Sequence, residues 1–183
     1  PSLLAVVYQP VVHRQPSFTF GNSGLEYEPN TPGAKQNMMR LEQNTILAPG
    51  LRPVVPLAFG CLPCRLAERA KWHEMMDFYY ESGGNLFDTS RMYGSGESEQ
   101  VLGEWLETRC TRAQTVLVTK CGHGGSLALL PDEGFEEMVT RELTASLSAL
   151  RTDHVDLLLL HRDNPVVAVS RIMERLNQEA RPG

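Results

Sequence analysis

No run of apolar residues in this sequence is long enough to cross a bilayer. Although 42% of its 183 residues are hydrophobic, a spanning helix needs about 20 in succession. A basic patch is also missing. With a net charge of -5 the chain has no clustered Lys/Arg excess to neutralise phosphates, which argues against a nucleic-acid partner. Cysteine is sparse: Cys61, Cys64, Cys110 and Cys121 make no disulfide framework in a chain of this size and point to a reducing, cytoplasmic setting. The apolar start, Leu3 to Val7 and Val11-Val12, has neither the charged leader nor the small-residue cleavage site of a signal peptide. The chain opens at Pro1 rather than Met, which reads as a cut point in a longer protein. These features leave one globular domain, long enough to bury a core.

Residues 1–37 carry Pro10, Pro16, Pro29 and Pro32 with turn signals between them and no helical period, so an irregular leader or linker is expected there. Residues 38–183 are expected to form the folded unit. Met38 to Leu41, a turn around Pro49-Gly50, and the run Val54 to Gly60 predict a hairpin feeding a buried strand. Apolar residues at Leu66, Ala70, Met75, Met76 and Tyr79, with Gly83 beyond them, predict a helix over about 66–80. The pattern then repeats. Strands are expected at 85–88, 116–119 and 155–160, and helices at about 98–109, 135–150 and 169–177. The third strand, Val155 to Leu160, is almost continuously apolar, as strands of covered parallel sheets are. A hairpin followed by about four alternating β-α units implies a parallel sheet with right-handed crossovers.

Asp88, Lys120 and His161 fall at or just past the carboxyl ends of three successive strands, with Tyr93 in the loop after the first. A closed barrel brings such ends to one rim, where barrel enzymes keep their chemistry; an open sheet strings them along an edge. Their chemistry is complementary. A tyrosine hydroxyl is a weak acid, and a nearby ammonium favours its phenolate. Lys120 can supply that charge, Asp88 can hold the lysine, and His161 can orient a carbonyl or pass a proton. The set has no activated nucleophile. A hydride from a reduced nicotinamide fills that gap.

Simpler roles exist for each residue alone: Asp88 as a turn or capping residue, Tyr93 as a packing residue. The C-x-x-C spacing of Cys61 and Cys64 admits a redox pair or half a zinc site. A redox pair belongs at the start of a helix in a thioredoxin-like unit, however, and no second close pair is present, so two ordinary thiols are preferred and no metal is expected. Gly94-Ser95-Gly96 lacks the third glycine of a dinucleotide loop and reads as a turn. His123, among glycines, could touch substrate, with a solvated loop histidine the preferred reading. His13, His73 and His154 are read as surface or packing residues, and the Met38-Met39 and Met75-Met76 pairs as core filler.

The run Gly84-Asn85-Leu86-Phe87-Asp88-Thr89-Ser90-Arg91-Met92-Tyr93-Gly94, with Ser98-Glu99 and Leu102-Gly103 after it, resembles the G-x-N-x-x-D-T-A-x-x-Y-G-x-x-x-S-E-x-x-L-G pattern of the aldo-keto reductase family. Val118-Thr119-Lys120 is similar to that family's strand-three lysine, and Leu150 to His161 to its L-x-T-D-Y-x-D-L-x-L-x-H. The likeness covers roughly Met39 to Gly183. It implies a catalytic tetrad: Tyr93 as proton donor, Lys120 as the cation that tunes it, Asp88 as the lysine's partner and His161 as the residue that orients the carbonyl. It further implies an NADPH-dependent (NADH possible) oxidoreductase on a partial (β/α)8 TIM barrel, with Gly60, Cys61 and Asp88 near the cofactor and a small aldehyde or ketone as substrate. The family has eight β-α units and this chain has four, so the resemblance implies the N-terminal half of such a barrel, a fragment expected to turn over little alone. A second reading is a non-enzymatic nicotinamide-binding regulatory barrel resembling the potassium-channel β subunits. No membrane partner is expected.

Overall fold

The computed structural model describes residues 5–7, 40–109, 111–123, 132–162 and 167–179. Among the described residues five parallel strands form a sheet: β1 (Ala5–Val7), β2 (Phe59–Gly60), β3 (Leu86–Asp88), β4 (Val116–Cys121) and β5 (Leu157–Leu160), in the order β1-β5-β4-β3-β2. Each of the last four strands leads into a helix: α1 (Arg69–Glu81), α2 (Glu97–Arg109), α3 (Asp132–Leu150) and α4 (Val169–Glu179). Strict alternation with parallel neighbours is the layout of half a β/α barrel.

The two-residue period of the strands separates two apolar clusters. On one face Phe87, Leu117, Cys121, Leu158 and Leu160 pack under the helices with Trp105, Leu102, Phe135 and Ile172. Leu86, Val116, Val118 and Leu157 point the other way and meet Val54 and Leu51 of the hairpin. Asp88, Lys120 and His161 share the parity of this second set, so the hairpin covers one end of that face and the three polar residues stand at the other.

Conserving backbone hydrogen bonds explains why two expected strands are shorter than their apolar runs. Thr45 and Val54 make a single antiparallel bridge, but the Val55 N–H goes to Asn85 Oδ1 at 3.2 Å and Pro53 O accepts from Asn85 Nδ2 at 2.9 Å. Pro53 and Pro56 have no N–H to give a ladder, so β2 is only Phe59–Gly60. At β5, the Asp156 carboxylate accepts the Leu117 N–H and an Arg112 guanidinium N–H, each at 2.8 Å. The Asp156 backbone N–H also donates to the Leu117 carbonyl at 2.9 Å, so Leu117 gives its N–H to the Asp156 side chain and its carbonyl to the Asp156 backbone, and the regular strand begins at Leu157.

Two sequence expectations need correction. The leader is not wholly irregular: Ala5–Val7 pairs with Leu157–Leu159 along the free edge of β5, an edge whose backbone groups need partners. The rest of residues 1–37 lies outside the described residues. Met75 is not core filler. It is 44% exposed whereas Met76 is buried, because consecutive helical residues point about 100° apart; Met38 and Met39 are not among the described residues.

Glycine has a steric role at one helix crossing. A Cβ on Gly103 in α2 would lie 2.4 Å from the Ala149 carbonyl oxygen and 2.8 Å from Leu150 of α3. Only the bare backbone lets these helices approach so closely. That approach keeps α2 against the sheet, beneath the loop that carries Tyr93.

Candidate active site

Register sets the starting geometry. Asp88 is level with Val118 and Lys120 with Leu159, so the polar residues climb the sheet by two residues per strand, roughly 6–7 Å each time. The long lysine stem spans the first step. Lys120 Nζ donates to Asp88 Oδ1 at 2.6 Å, to the Thr89 carbonyl at 2.9 Å and to the Tyr93 hydroxyl at 3.3 Å. An ammonium has three protons, and each has an acceptor here. The same Nζ lies 4.9 Å from the Tyr93 ring centroid. The tyrosine oxygen accepts from lysine, which leaves its own proton free to be donated elsewhere.

Tyr93 is brought back over the sheet by a loop with specific anchors. The backbone at Gly94, Ser95 and Gly96 has positive φ of 59°, 56° and 95°, a left-handed turn that glycine accepts and serine resists. Beneath it Glu99, fully buried at the start of α2, accepts from Arg91 Nη1 and from Thr119 Oγ1, both at 2.8 Å. This carboxylate ties the loop to β4, one residue from Lys120. The serine-glutamate pair that follows the loop in sequence thereby has a physical function: Ser98 Oγ donates to the Cys64 carbonyl at 3.3 Å while Glu99 holds the loop.

The fourth residue is held differently. The His161 backbone N–H donates to the Cys121 carbonyl at 2.7 Å, which fixes its position just beyond β5. Its ring stands edge-on to Tyr93 at 5.7 Å between centroids. Ser90 Oγ lies 2.8 Å from its Nδ1. Burial, with the neighbouring His123, Lys120 and Arg162 adding to it, pushes the imidazole down to about 4, so the ring is neutral at neutral pH.

His123 is not the solvated loop residue expected. Its ring packs 4.4 Å from that of His161, Arg162 Nη2 lies 3.3 Å from its Nε2, and its buried Nδ1 has no partner among the described residues. Burial and the Arg162 charge lower its basicity. Sequence reasoning missed Ser90 as well. One signal was available: in an extended chain, residues two apart share a face, and Ser90 is two beyond Asp88.

The residues proposed to meet a cofactor lie together. Gly60 is level with Asp88 in the sheet, and a Cβ built on it would meet nothing within 4 Å. The Cys61 N–H donates to the Asp88 carbonyl at 2.9 Å. Its thiol is fully buried and kept protonated by a hydrogen bond with Cys64 and by burial, so any contact from Cys61 to a ligand is through its backbone. Gly60 is exposed, so this backbone beside Asp88 is open on its outer side. Cys61, Cys64 and Cys121 are free, buried thiols, and the Cys121 thiol is pushed up to about 12, chiefly by burial. Among the described residues no group of acids, histidines or cysteines could hold a metal ion.

Comparison with known proteins gives a consistent set of likenesses. A family model described as the aldo/keto reductase family matches residues 65–183. Norsolorinic acid reductase A of Aspergillus parasiticus is 31% identical over 163 residues, which are 80% of this chain and 42% of that protein. Norsolorinic acid reductase of Aspergillus flavus is 35% identical over 117 residues, 60% of this chain and 30% of the relative. Among solved structures, an aldo-keto reductase of Klebsiella pneumoniae in complex with NADPH is 26% identical with a TM-score of 0.58, covering 76% of this chain and 47% of its own. This chain therefore spans less than half the length of these relatives.

Proposed function

The chain belongs to the aldo/keto reductase family, and from that premise we propose that it carries the proton-donating half-site of an NADPH-dependent reductase of a small aldehyde or ketone. One observation supports this above the others: Lys120 holds Asp88 and the Tyr93 hydroxyl with one ammonium. In this reading Tyr93 gives its proton to the substrate oxygen as negative charge gathers there. Lys120, 3.3 Å away, stabilises the phenolate left behind. Asp88 keeps the ammonium in place and His161, neutral and edge-on to the phenol, fixes the direction of the carbonyl. Reduced nicotinamide, when bound, supplies the hydride. Gly60 and Asp88, with the Cys61 backbone, would border it.

Relatives named norsolorinic acid reductases place norsolorinic acid first in a substrate panel, with simple aromatic aldehydes and ketones behind it. The NADPH complex of a structural relative makes NADPH the first cofactor to try and NADH the comparison. A reducing, cytoplasmic compartment suits the three free thiols. Residues 38–183 form the barrel half in this proposal, with most of residues 1–37 as its leader.

The test is NADPH consumption followed at 340 nm across that panel, together with NADPH binding by fluorescence. Turnover by this chain alone is expected to be low, and strong turnover would refute the half-site reading. Turnover that appears on joining the chain to the later portion of a relative supports the proposal. Nicotinamide binding with no carbonyl reduced in that joined protein would favour a regulatory barrel instead.

A further inference from the structure

Ser90 is the residue at the rim whose chemistry the tetrad does not use. It is fully buried, directly beyond Asp88-Thr89, at the place where the pattern this sequence resembles has alanine. Its hydroxyl has three neighbours: His161 Nδ1 at 2.8 Å, the Lys120 carbonyl at 3.4 Å and the Met92 N–H, which donates to it at 3.3 Å. The Met92 N–H can only give, so it occupies one lone pair of Oγ. The single hydroxyl proton must choose between the Lys120 carbonyl and the histidine nitrogen.

Distance decides. At 3.4 Å the carbonyl is at the outer limit of a hydrogen bond, whereas 2.8 Å is the preferred length for a hydroxyl donor. Burial keeps the imidazole neutral, so one ring nitrogen has a lone pair and the other a proton. A hydroxyl donating to Nδ1 puts the ring proton on Nε2. Resting on the reading of His161 as the group that orients the carbonyl, we propose that Ser90 is a positioning residue that holds His161 in its Nε2–H tautomer, so that the ring offers the substrate oxygen a donor and not a lone pair.

The reason this matters is chemical. A carbonyl oxygen can only accept, and a histidine in the opposite tautomer would present it with a second acceptor and repel it. Among the described residues, the ring's other close contacts are the rings of Tyr93 and His123, and Ser90 is the donor at Nδ1. A hydroxyl two residues from Asp88 thereby links the donor and orienting parts of the site.

The experiment uses the whole chain labelled with 15N histidine and long-range 1H–15N correlation spectra, which report which ring nitrogen bears hydrogen. The expected result is Nε2–H in the wild type, a shift toward Nδ1–H or a mixture in Ser90→Ala, and return to Nε2–H in Ser90→Thr. Ser90→Cys keeps the size and weakens the donor, so it should behave as Ser90→Ala does even if the alanine variant folds poorly. Nδ1–H in the wild type, or an unchanged spectrum in folded Ser90→Ala or Ser90→Cys, would overturn the proposal. In the joined, active protein Ser90→Ala should lose about tenfold or more in kcat/KM, as changes to a histidine's supporting partner do elsewhere, and Ser90→Thr should restore it. Failure of the reductase reading looks different: no carbonyl is reduced by any form, while the tautomer still switches with Ser90.

Discussion

The two sides of the candidate site are built on opposite electrostatic plans. Around Lys120 the chain gathers polar and charged groups: an ammonium, a carboxylate at 2.6 Å and a phenol at 3.3 Å. Around His161 it removes charge, with a half-buried neutral ring that has a hydroxyl at Nδ1 and a second imidazole packed against it. The first arrangement suits a group that must release a proton. The second suits one that must keep its proton while pointing it. Both depend on one loop, residues 88–96, so a single stretch of chain serves two environments.

Substitution can test that contrast directly. In the joined, active protein, Tyr93→Phe removes the proton donor and is expected to lower kcat by roughly 10^2 to 10^4 with little change in KM. His161→Gln keeps a donor of similar reach, so its smaller loss, about tenfold, should appear mainly in KM. Equal losses, both in kcat, would mean that the two sides do not divide the work. A stability measurement probes the shared support. Arg91→Met leaves Glu99 buried with Thr119 as its remaining partner, and should cost about 3 kcal/mol in urea unfolding, loosening both sides together.

Acid should separate them with the smallest effect. Above about pH 6.5 His161 is neutral in both folded and unfolded chains. Between there and about 4, the unfolded chain takes up the proton first, so folding stability falls as pH falls. His123 acts in the same direction. His161→Gln should flatten part of that decline, measured by urea unfolding at pH 7 and pH 4.5; an unchanged slope would show that the ring is not kept neutral by the fold.

The strand and helix order was legible because punctuation and period agree in the second half of the chain. The α2 face of Val101, Leu102, Trp105 and Leu106 is buried as its spacing predicts, and α3 differs from expectation mainly in starting at Asp132. Strand starts were less legible, since Asn85 and Asp156 take backbone partners through their side chains, which no period records. In the site, Asp88, Lys120 and His161 could be read because strand ends announce themselves. Ser90 and His123 were harder to read: their position hints at the rim, but their partner His161 lies 71 residues beyond Ser90 and, from His123, beyond α3 and β5. Glu99 looked like any acid in the first turn of a helix.

The strand Ala5–Val7 has a consequence in time. Its partner residues, Leu157–Leu159, are made about 150 residues later, and contacts so far apart in sequence form slowly because a long loop must close first. On the ribosome, at about 5–20 residues per second, the leader must wait several seconds or more for its partner. During that interval β2 to β4 can assemble from nearby pieces, and the edge strand is added last.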